Sequence, residues 1–329
     1  MRIDSRRRHV LASLAAAGLG AAGMPAARAQ AWPSRTIRIY CGFNPGGTTD
    51  PYARVYGEIL SQSLGVPVVV ENRPGAGGHI SLEALSRAAP DGYTIGITTS
   101  SSVWGARALY RKLPFDPDRD FIPLSWFPVG PLLMGVPASM PVNNIKEWVE
   151  HARKSPVTMA SYGPASVPHL ATEEFNKRYG TKVNVVHYKG EGPMWPDVAT
   201  GVTQAGIGSY VALAPHLARG TIRVLASVGH ERSPKLPQVT SFVSQGFDGD
   251  LFKLSGGLLM LAPAGTPTEI LQRISRGFVE GAGSPKAVAL REAFAIEDTP
   301  TTMEEAQRRW REESPVWIRL TEQLGLKLD

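Results

Sequence analysis

The sequence predicts an α/β protein made of two lobes, and three observations lead to this prediction. Short apolar runs alternate with amphipathic stretches along the body of the chain, which is typical of parallel α/β architecture. Two units repeat the same local order of strand, turn and helix, with the turns at 43–50 and 161–168. A body of about 300 residues is long enough for two domains, and ligand clefts form preferentially between domains. We therefore expect both turns to face one cavity.

The first unit is organised around the turn between residues 41 and 51. Alternating apolar and polar residues predict a strand at 37–41, and apolar residues with helical spacing follow the turn. Asp50 is the predicted N-cap of that helix, and Pro51 is its predicted first residue. N–H groups at a helix start bind small anions, although most glycine turns only solve a backbone problem. No Gly-Lys-Ser/Thr sequence follows the glycines, which argues against a phosphate loop.

The rest of the first half has the same organisation. A strand and a second glycine-rich turn are predicted at 66–71 and 72–78, followed by a helix and by a third strand at 93–98. That strand runs into five consecutive hydroxyl residues, 98–102. These are either solvated turn residues or ligand contacts, because open α/β sheets bind ligands at the carboxyl ends of their strands. The proline- and aspartate-rich stretch 113–123 is predicted to be a connection.

The second half is predicted to repeat this pattern and then to return to the first lobe. The elements expected in the second lobe are a strand at 132–136, a helix capped by Asn143 or Asn144, a strand at 157–160, a helix at 169–179, a strand at 183–187, a helix broken by Pro196, a strand at 204–208, a helix ending at Arg219 and a strand at 223–228. The return is expected to begin with a strand at 258–262 and to continue through helices at 267–282, 285–294 and 303–323.

Residues 1–29 are predicted to be a signal peptide that is cleaved near Ala29. A basic start, an apolar run at 10–23 and small residues at the cleavage site have the order of an export signal, by the twin-arginine or the general secretory route. We therefore expect a periplasmic protein. These residues hold five arginines and one aspartate, which is +4 of the formal +6. The remaining charge of about +2 is too small for a nucleic-acid partner.

The residues predict no metal site, no cofactor and no catalytic centre. The histidines lack metal-ligand spacing, and neither His-x-Glu nor Cys-x-x-Cys occurs. Cys41 is the only cysteine and lies on a predicted strand, so we expect it to be a buried apolar residue. There is no Gly-x-Ser-x-Gly sequence. A Ser/His/Asp triad stays open, because its members need not be close in sequence.

Several segments resemble the tripartite tricarboxylate transporter receptors, which are Bug-type periplasmic solute-binding proteins. The most specific segment is Glu-Asn-Arg-Pro-Gly-Ala-Gly-Gly at 71–78. Together the matching segments span the mature chain in order, at 32–39, 45–50, 68–78, 89–93, 186–193 and 261–267. The resemblance implies a type II periplasmic binding protein fold whose two lobes are joined by crossing strands. We expect lobe 1 to comprise residues 30–131 and 257–329, and lobe 2 residues 132–256.

The resemblance also implies a function and partners. The ligand is expected to be a small dicarboxylate or aromatic carboxylate, and the partners are expected to be integral membrane subunits of the transporter. The receptor itself is expected to be a monomer. Two alternatives stay open: an exported hydrolase that uses Ser166 or Ser209 with a histidine, and a co-receptor that reports ligand binding to a signalling protein.

The resemblance and the hydroxyl run together give the candidate binding residues. Thr48 and Thr49, with nearby N–H groups, are expected to hold one carboxylate, and Ser166 and Ser209 the other end of the ligand. Lys189 either pairs with a carboxylate or points to solvent. The full set is Phe43, Asn44, Gly46, Gly47, Thr48, Thr49, Asp50, Thr99 and Ser100 in lobe 1, with Tyr162, Gly163, Ser166, His169, Tyr188, Lys189, Gly208, Ser209 and Tyr210 in lobe 2.

The sequence departs from the family pattern at three of these positions. Asn44 and Thr48 stand where the family usually has proline or glycine. Gly208 stands where amino-acid-binding members often carry an acidic residue, which argues against an amino-acid ligand. The aromatic residues expected near the cleft suggest room for an aromatic carboxylate; they are Phe43, Trp104, Tyr162, Tyr188 and Tyr210.

Overall fold

The structure is a computed structural model that describes residues 32–229, 233–254, 256–294, 296–323 and 325–328. Residues 35–329 form one compact unit, and the described residues 32–34 belong to a second unit. The predicted signal peptide at 1–29 lies outside the described residues.

Strands and helices alternate along the larger unit. In chain order they are β1 (Ile37–Cys41), α1 (Thr49–Leu64), β2 (Val68–Asn72), α2 (His79–Ser86), β3 (Thr94–Thr99), α3 (Ser100–Trp104), α4 (Ala106–Leu109), α5 (Pro117–Asp120), β4 (Phe121–Pro128), β5 (Leu133–Pro137), α6 (Ile145–Lys154), β6 (Val157–Ser161), α7 (Val167–Tyr179), β7 (Val183–His187), α8 (Glu191–Thr200), β8 (Ala205–Gly208), α9 (Tyr210–Ala218), β9 (Ile222–Ser227), β10 (Gly257–Pro263), α10 (Thr268–Glu280), α11 (Pro285–Phe294) and α12 (Met303–Gln323). Short 3-10 helices lie at Ala76–Gly78, Val243–Gln245, Asp250–Lys253 and Gly281–Gly283.

The strands form two five-stranded sheets, one in each lobe. The sheet of lobe 1 has the order β2-β1-β3-β10-β4, and that of lobe 2 has the order β7-β6-β8-β5-β9. In each sheet one strand runs against the other four, β10 in lobe 1 and β5 in lobe 2. The sequence predicted parallel strands, so the reversed strand in each sheet is a difference.

The reversed strands are those with which the chain enters a lobe from the other one. The chain passes from β4 in lobe 1 to β5 in lobe 2, and it returns from β9 to β10. It therefore enters each sheet beside the carboxyl ends of the parallel strands. The entering strand must then run in the opposite direction to them. This topology places the carboxyl ends of both sets of parallel strands beside the crossing segments, where α/β sheets bind ligands. The exact lobe boundaries at 131/132 and 256/257 stay a prediction.

Aromatic side chains fill the core of each lobe. In lobe 1, Tyr56 on α1 packs edge-on against Phe127 of β4, with ring centroids 4.6 Å apart, and it also contacts Phe278 of α10. In lobe 2, Phe175 on α7 packs against Trp148 of α6 with a centroid distance of 4.9 Å. Such pairs add to the free energy of apolar burial by roughly 0.5–1.5 kcal/mol each. They hold the helices on the sheets that position the cleft.

Strand β4 and helix α5 lie partly in the stretch that was predicted to be a connection. Pro123 cannot donate a hydrogen bond to a sheet. However, β4 lies at the edge of its sheet, where one side of the strand needs no partner. The pairing with β10 also shifts register between Met260 and Leu261, opposite this part of β4.

Three local predictions about helices were wrong, and one was confirmed. Pro196 does not break its helix; it lies inside α8, whose buried Met194 and Trp195 hold the helix in place. Asp50 is not an N-cap and Pro51 is not the first helical residue, because α1 begins at Thr49. Asn144 caps α6 as predicted, since its side chain accepts a hydrogen bond from the N–H of Glu147 at 2.9 Å.

None of the described helices is long and apolar enough to cross a membrane. Cys41 is buried on β1, as the sequence predicted, and burial raises the pKa of its thiol to about 12. The thiol therefore stays protonated at neutral pH, which disfavours a nucleophilic role.

Candidate functional site

A cavity lies between the two lobes at the carboxyl ends of their parallel strands. Its empty volume is about 500 Å³, including the part that is open to solvent. Both turns singled out in the sequence contribute to it. The lining residues are Phe43, Gly47, Thr48, Thr49, Thr99, Ser100, Ser101, Val129, Leu132, Tyr162, Val167, Glu191, Gly256, Gly257, Leu258 and Trp317.

The start of α1 forms one wall of the cavity. Thr48 is the N-cap residue, but its side chain makes no capping hydrogen bond within the described part of the chain. The first N–H groups of a helix have no intrahelical partner, and they carry the positive end of the helix dipole. Asp50 does not oppose an anion here, because its carboxylate accepts hydrogen bonds from Arg54 and from Asn72, both at 2.9 Å. This wall can therefore hold a carboxylate.

The hydroxyl run at the end of β3 forms the adjoining wall. Thr99 caps α3, since its hydroxyl accepts a hydrogen bond from the N–H of Ser102. Ser101 donates to the hydroxyl of Thr99 at 3.3 Å. Ser100 is buried, and its hydroxyl has no partner among the described residues. A buried hydroxyl without a partner costs free energy, and a ligand can supply the missing hydrogen bond.

Tyr162 of lobe 2 closes the cavity from the opposite side. Its ring packs edge-on against Phe43 of lobe 1, with centroids 6.2 Å apart. Burial raises the pKa of the Tyr162 hydroxyl, the nearby charge of Glu191 raises it further, and hydrogen bonds with Val167 and Ser101 act in the other direction. The hydroxyl therefore stays protonated and can donate a hydrogen bond.

Glu191, the first residue of α8, is the main site residue that the sequence analysis missed. One carboxylate oxygen, Oε2, accepts hydrogen bonds from the N–H and the hydroxyl of Ser209, at 2.9 and 2.6 Å. The other oxygen, Oε1, accepts a long hydrogen bond of 3.3 Å from Thr48 of lobe 1. Burial raises the pKa of Glu191, while the hydrogen bonds from Ser209 and Thr48 lower it. It is the one charged side chain among the described lining residues, and no lysine or arginine lies beside it there.

Glycine at position 208 makes room for this carboxylate. A Cβ atom on Gly208 would lie 3.0 Å from Oε2 of Glu191 and 3.0 Å from the ring of Trp195. From the sequence alone, Gly208 indicated that the site had lost an acidic residue. The structure brings a carboxylate to the same place from α8, so that argument against an amino-acid ligand does not hold.

The two lobes touch around the cavity, so the structure is in a closed form. The N–H of Asn44 donates to the carbonyl of Lys189 across the cleft at 3.1 Å. Glycines meet backbone to backbone at the rim: a Cβ atom on Gly192 would lie 2.6 Å from the carbonyl oxygen of Pro45. On the other side, a Cβ atom on Gly163 would lie 2.5 Å from the Cα atom of Gly77. These contacts narrow the access to the cavity.

The second predicted turn reaches the cavity only through Tyr162 and Val167. The hydroxyl of Ser166 is buried and bonds that of Ser161 at 2.8 Å. His169 accepts a hydrogen bond from the N–H of Ala165 through Nδ1. Burial and, secondly, the neighbouring His187 lower the pKa of His169 to about 4, so it is neutral at pH 7. These two residues therefore shape the turn from inside.

The remaining predicted residues lie outside the cavity lining. Lys189 is exposed, and Tyr188 donates from its hydroxyl to Asp197 at 2.6 Å. Trp104 is buried in the core of lobe 1 and stacks on Trp126. The predicted residues that line the cavity are Phe43, Gly47, Thr48, Thr49, Thr99, Ser100 and Tyr162. Those that do not are Asn44, Gly46, Asp50, Gly163, Ser166, His169, Tyr188, Lys189, Gly208, Ser209 and Tyr210.

Among the described residues, no group of three or more His, Cys, Asp or Glu side chains could hold a metal ion. The carboxylate in the cavity is thus surrounded by hydroxyl groups, backbone N–H groups and aromatic rings. This arrangement can bind a small polar organic molecule.

Comparison with known proteins gives the family. The model of the tripartite tricarboxylate transporter family receptors matches residues 52–326. The chain belongs to this family. It is 33% identical to Protein BugT of Bordetella pertussis over 306 residues, which cover 91% of this chain and 92% of BugT.

Solved structures agree with this assignment. The R. palustris protein Rpa4515 with adipate has a TM-score of 0.83 and 31% identity, over 90% of this chain and 100% of that chain. The periplasmic binding protein BugD has a TM-score of 0.82 and 26% identity, again over 90% of this chain and 100% of BugD. The prediction of a Bug-type receptor with the two-lobed α/β fold of periplasmic binding proteins is therefore confirmed.

Proposed function

We propose that this protein is an exported receptor that binds one small organic carboxylate between its lobes and delivers it to the membrane subunits of a tripartite tricarboxylate transporter. The observation that carries the proposal is the cavity at the uncapped start of α1, which lobe 2 closes from the other side. The adipate bound to a relative with 31% identity supports an organic acid as the ligand.

In this proposal one carboxylate of the ligand lies at the start of α1. The hydroxyl of Thr49, the free N–H groups of the first turn and the unpartnered hydroxyl of Ser100 supply hydrogen-bond donors, whereas the hydroxyl of Thr48 donates to Glu191. The helix dipole adds a favourable interaction of about 0.3–1 kcal/mol for a negative charge at this position. Neutral donors hold the anion without an arginine pair, which suits a receptor that must release its ligand again.

Ligand binding and closure are coupled in this proposal. Phe43, Thr48 and Thr49 come from lobe 1, whereas Tyr162 and Val167 come from lobe 2. A ligand that contacts both sets binds the closed form more tightly than the open form. Only this difference in affinity shifts the receptor towards the closed form. The transporter subunits would then meet a closed, loaded receptor.

The same geometry supports a role in binding rather than in hydrolysis. The hydroxyl of Ser209 donates to Glu191, and that of Ser166 bonds Ser161, so neither serine has a histidine as its direct partner in these contacts. We therefore expect no ester hydrolysis by the purified protein. Turnover of p-nitrophenyl esters that is lost in Ser166→Ala or Ser209→Ala would contradict this.

The experiment for the binding function is a thermal-shift screen against mono-, di- and aromatic carboxylates. The protein is first unfolded and refolded to remove any ligand that co-purifies. A ligand present at 100 times its Kd should raise the free energy of unfolding by about 2.7 kcal/mol. Failure of every acid in the screen, together with no organic acid in the mass spectrum of the untreated protein, would refute the proposal.

A further inference from the structure

Glu191 stands out in the cavity because its charge has no cationic partner. No ion pair of Glu191 occurs among the described residues, and no positive charge contributes to the pKa of its carboxyl. All the hydrogen bonds to it come from neutral groups, two from Ser209 and one from Thr48. Burying a carboxylate without a cationic partner costs free energy. A ligand group that binds beside Glu191 can lower or raise this cost.

The two oxygens of Glu191 differ in how well they are satisfied. Oε2 accepts two short hydrogen bonds from its own lobe, at 2.9 and 2.6 Å. Oε1 accepts only one, at 3.3 Å, and its donor Thr48 belongs to the opposite lobe. Because Glu191 lines the cavity, Oε1 has acceptor capacity left for a ligand.

The protein backbone is arranged to hold this carboxylate. Gly190, which precedes Glu191, has a φ of 122°, a conformation that residues with side chains rarely adopt. Gly208 leaves the space that Oε2 occupies, since a Cβ atom there would be only 3.0 Å away. Ser209, which donates twice to the carboxylate, also caps α9. Three elements of lobe 2 thus fix the carboxylate in one place.

We propose that Glu191 determines specificity, and that the ligand presents to it a hydrogen-bond donor, such as an amide, a hydroxyl or an ammonium group, instead of a second carboxylate. This inference rests on the proposed function, in which the ligand's carboxylate lies at α1. A second carboxylate beside Oε1 would place two negative charges in contact within a closed cleft. A donor at that end satisfies Oε1, and an ammonium group also neutralises the charge.

The test compares pairs of ligands that differ only at this end. The pairs are glutarate with glutaramate, adipate with adipamate, and terephthalate with 4-carbamoylbenzoate; 6-aminohexanoate tests an ammonium group. Dissociation constants are measured by calorimetry at pH 7.5 on the refolded protein. We expect the wild-type protein to bind at least one donor-bearing acid 10-fold or more tightly than its dicarboxylate partner. A preference for 6-aminohexanoate over adipamate would assign the cation, and the reverse would assign the neutral donor.

The variant Glu191→Gln sharpens the test. Its amide can still accept from Ser209, and it can also donate to a carboxylate. We expect the preference to fall to within about twofold or to reverse. The control is Glu58→Gln, an exposed glutamate on α1 that pairs with Lys286, and it should keep the wild-type preference.

The outcomes separate this inference from the proposed function. If wild-type protein binds dicarboxylates as tightly as their monoamides and as 6-aminohexanoate, Glu191 does not set specificity, but the carboxylate receptor stands. If no acid of either kind binds, the proposed function fails and the inference fails with it. The wild-type preference decides the question even where Glu191→Gln does not fold.

Discussion

The starts of α1 and α9 differ in what lies against them: the start of α1 lines the cavity, whereas the start of α9 is covered by the carboxylate of Glu191. At α1 in lobe 1 no side chain caps the helix, and Thr48 and Thr49 face the cavity. At α9 in lobe 2 the N–H and the hydroxyl of Ser209 already donate to the carboxylate of Glu191. Two helix starts that look alike in sequence, each with a hydroxyl residue at the N-cap, therefore have different occupants.

In the proposed complex each helix start meets a carboxylate. The ligand supplies the one at α1, and the protein supplies the one at α9 through Glu191. The nearby acidic residues confirm this division. Asp50 at the start of α1 turns away from the cavity towards Arg54 and Asn72, whereas Glu191 turns into it. Lobe 1 thus presents donors to the cavity, and lobe 2 presents the acceptor Glu191 beside the hydroxyl of Tyr162. A ligand that fits both lobes needs an acidic end and a donor end.

The largest expected effect comes from preventing the start of α8 from approaching the turn before α1. Gly192→Ala places a Cβ atom 2.6 Å from the carbonyl oxygen of Pro45, although its own backbone tolerates alanine. Such overpacking costs about 1–3 kcal/mol, so affinity for the best acid of the screen should fall roughly 5- to 140-fold. Small-angle X-ray scattering should show a more open protein. Gly283→Ala, which meets no atom within 4 Å, is the control, and unchanged affinity in Gly192→Ala would show that closure does not need this contact.

The second prediction concerns the charge at α9 and its effect on stability. Burial raises the pKa of Glu191 above its ordinary value of 4.5, so the folded protein keeps this proton to a higher pH than the unfolded chain. The protonated carboxyl of Glu191 therefore contributes to the free energy of unfolding. This contribution is complete below about pH 4.5 and is lost as the pH rises through the raised pKa, by at most about 1.4 kcal/mol per pH unit. Tyr162 faces Glu191 and stays protonated in this range.

Glu191→Gln should therefore remove this loss. Urea unfolding at pH 4 and at pH 7.5 measures this effect. The free energy of unfolding of the variant minus that of wild type should be larger at pH 7.5 than at pH 4. An identical pH dependence in both proteins would count against a buried, unpaired carboxylate.

A smaller effect is expected at the donor side. Ser100→Ala removes a buried hydroxyl that has no partner among the described residues, so the stability of the free protein should not fall. Ligand affinity should fall roughly 2- to 12-fold, because one hydrogen bond is worth about 0.5–1.5 kcal/mol. The control is Ser86→Ala, because the hydroxyl of Ser86 donates to the carbonyl of Glu83. This variant should lose stability in urea unfolding and keep its ligand affinity in calorimetry. Loss of stability without loss of affinity in Ser100→Ala would exclude it as a ligand contact.

The smallest effect is expected at the carboxylate that turns away. Asp50→Asn keeps the shape of the side chain and removes a charge that faces Arg54, a largely exposed residue. Ligand affinity, measured by calorimetry, should stay within about twofold. A larger change would mean that the charge of Asp50 reaches the ligand, and that the two acidic residues do not differ as the geometry suggests.

Much of the fold could be predicted because its signals are local. Apolar spacing after the turn predicted α1, and the apolar run at 183–187 predicted β7 with the same bounds. Asn143 or Asn144 predicted the start of α6, and Asn144 is the cap; this was predictable because a capping side chain acts within one helical turn. β4 was missed because Pro123 is compatible with a strand only at a sheet edge, and the sheet order is a property of the whole fold.

The site was harder to predict, because its contacts join residues that are far apart in sequence. Thr48 and Glu191 are 143 positions apart, and Trp317 reaches the cavity from the last helix. The sequence did contain one usable signal for Glu191, an acidic residue at a helix start that follows a strand. Its role depends on Gly208 and Ser209, and nothing in the spacing of these residues indicates that they meet.

The crossing segments also bear on how the receptor accommodates ligands of different length. Val129 and Leu132 lie between β4 and β5, and Gly256 lies just before β10, so the segments that connect the two lobes also line the cavity. We therefore expect a longer acid that contacts these segments to hold the two lobes further apart than a shorter acid does. The angle between the lobes would then report the length of the bound ligand.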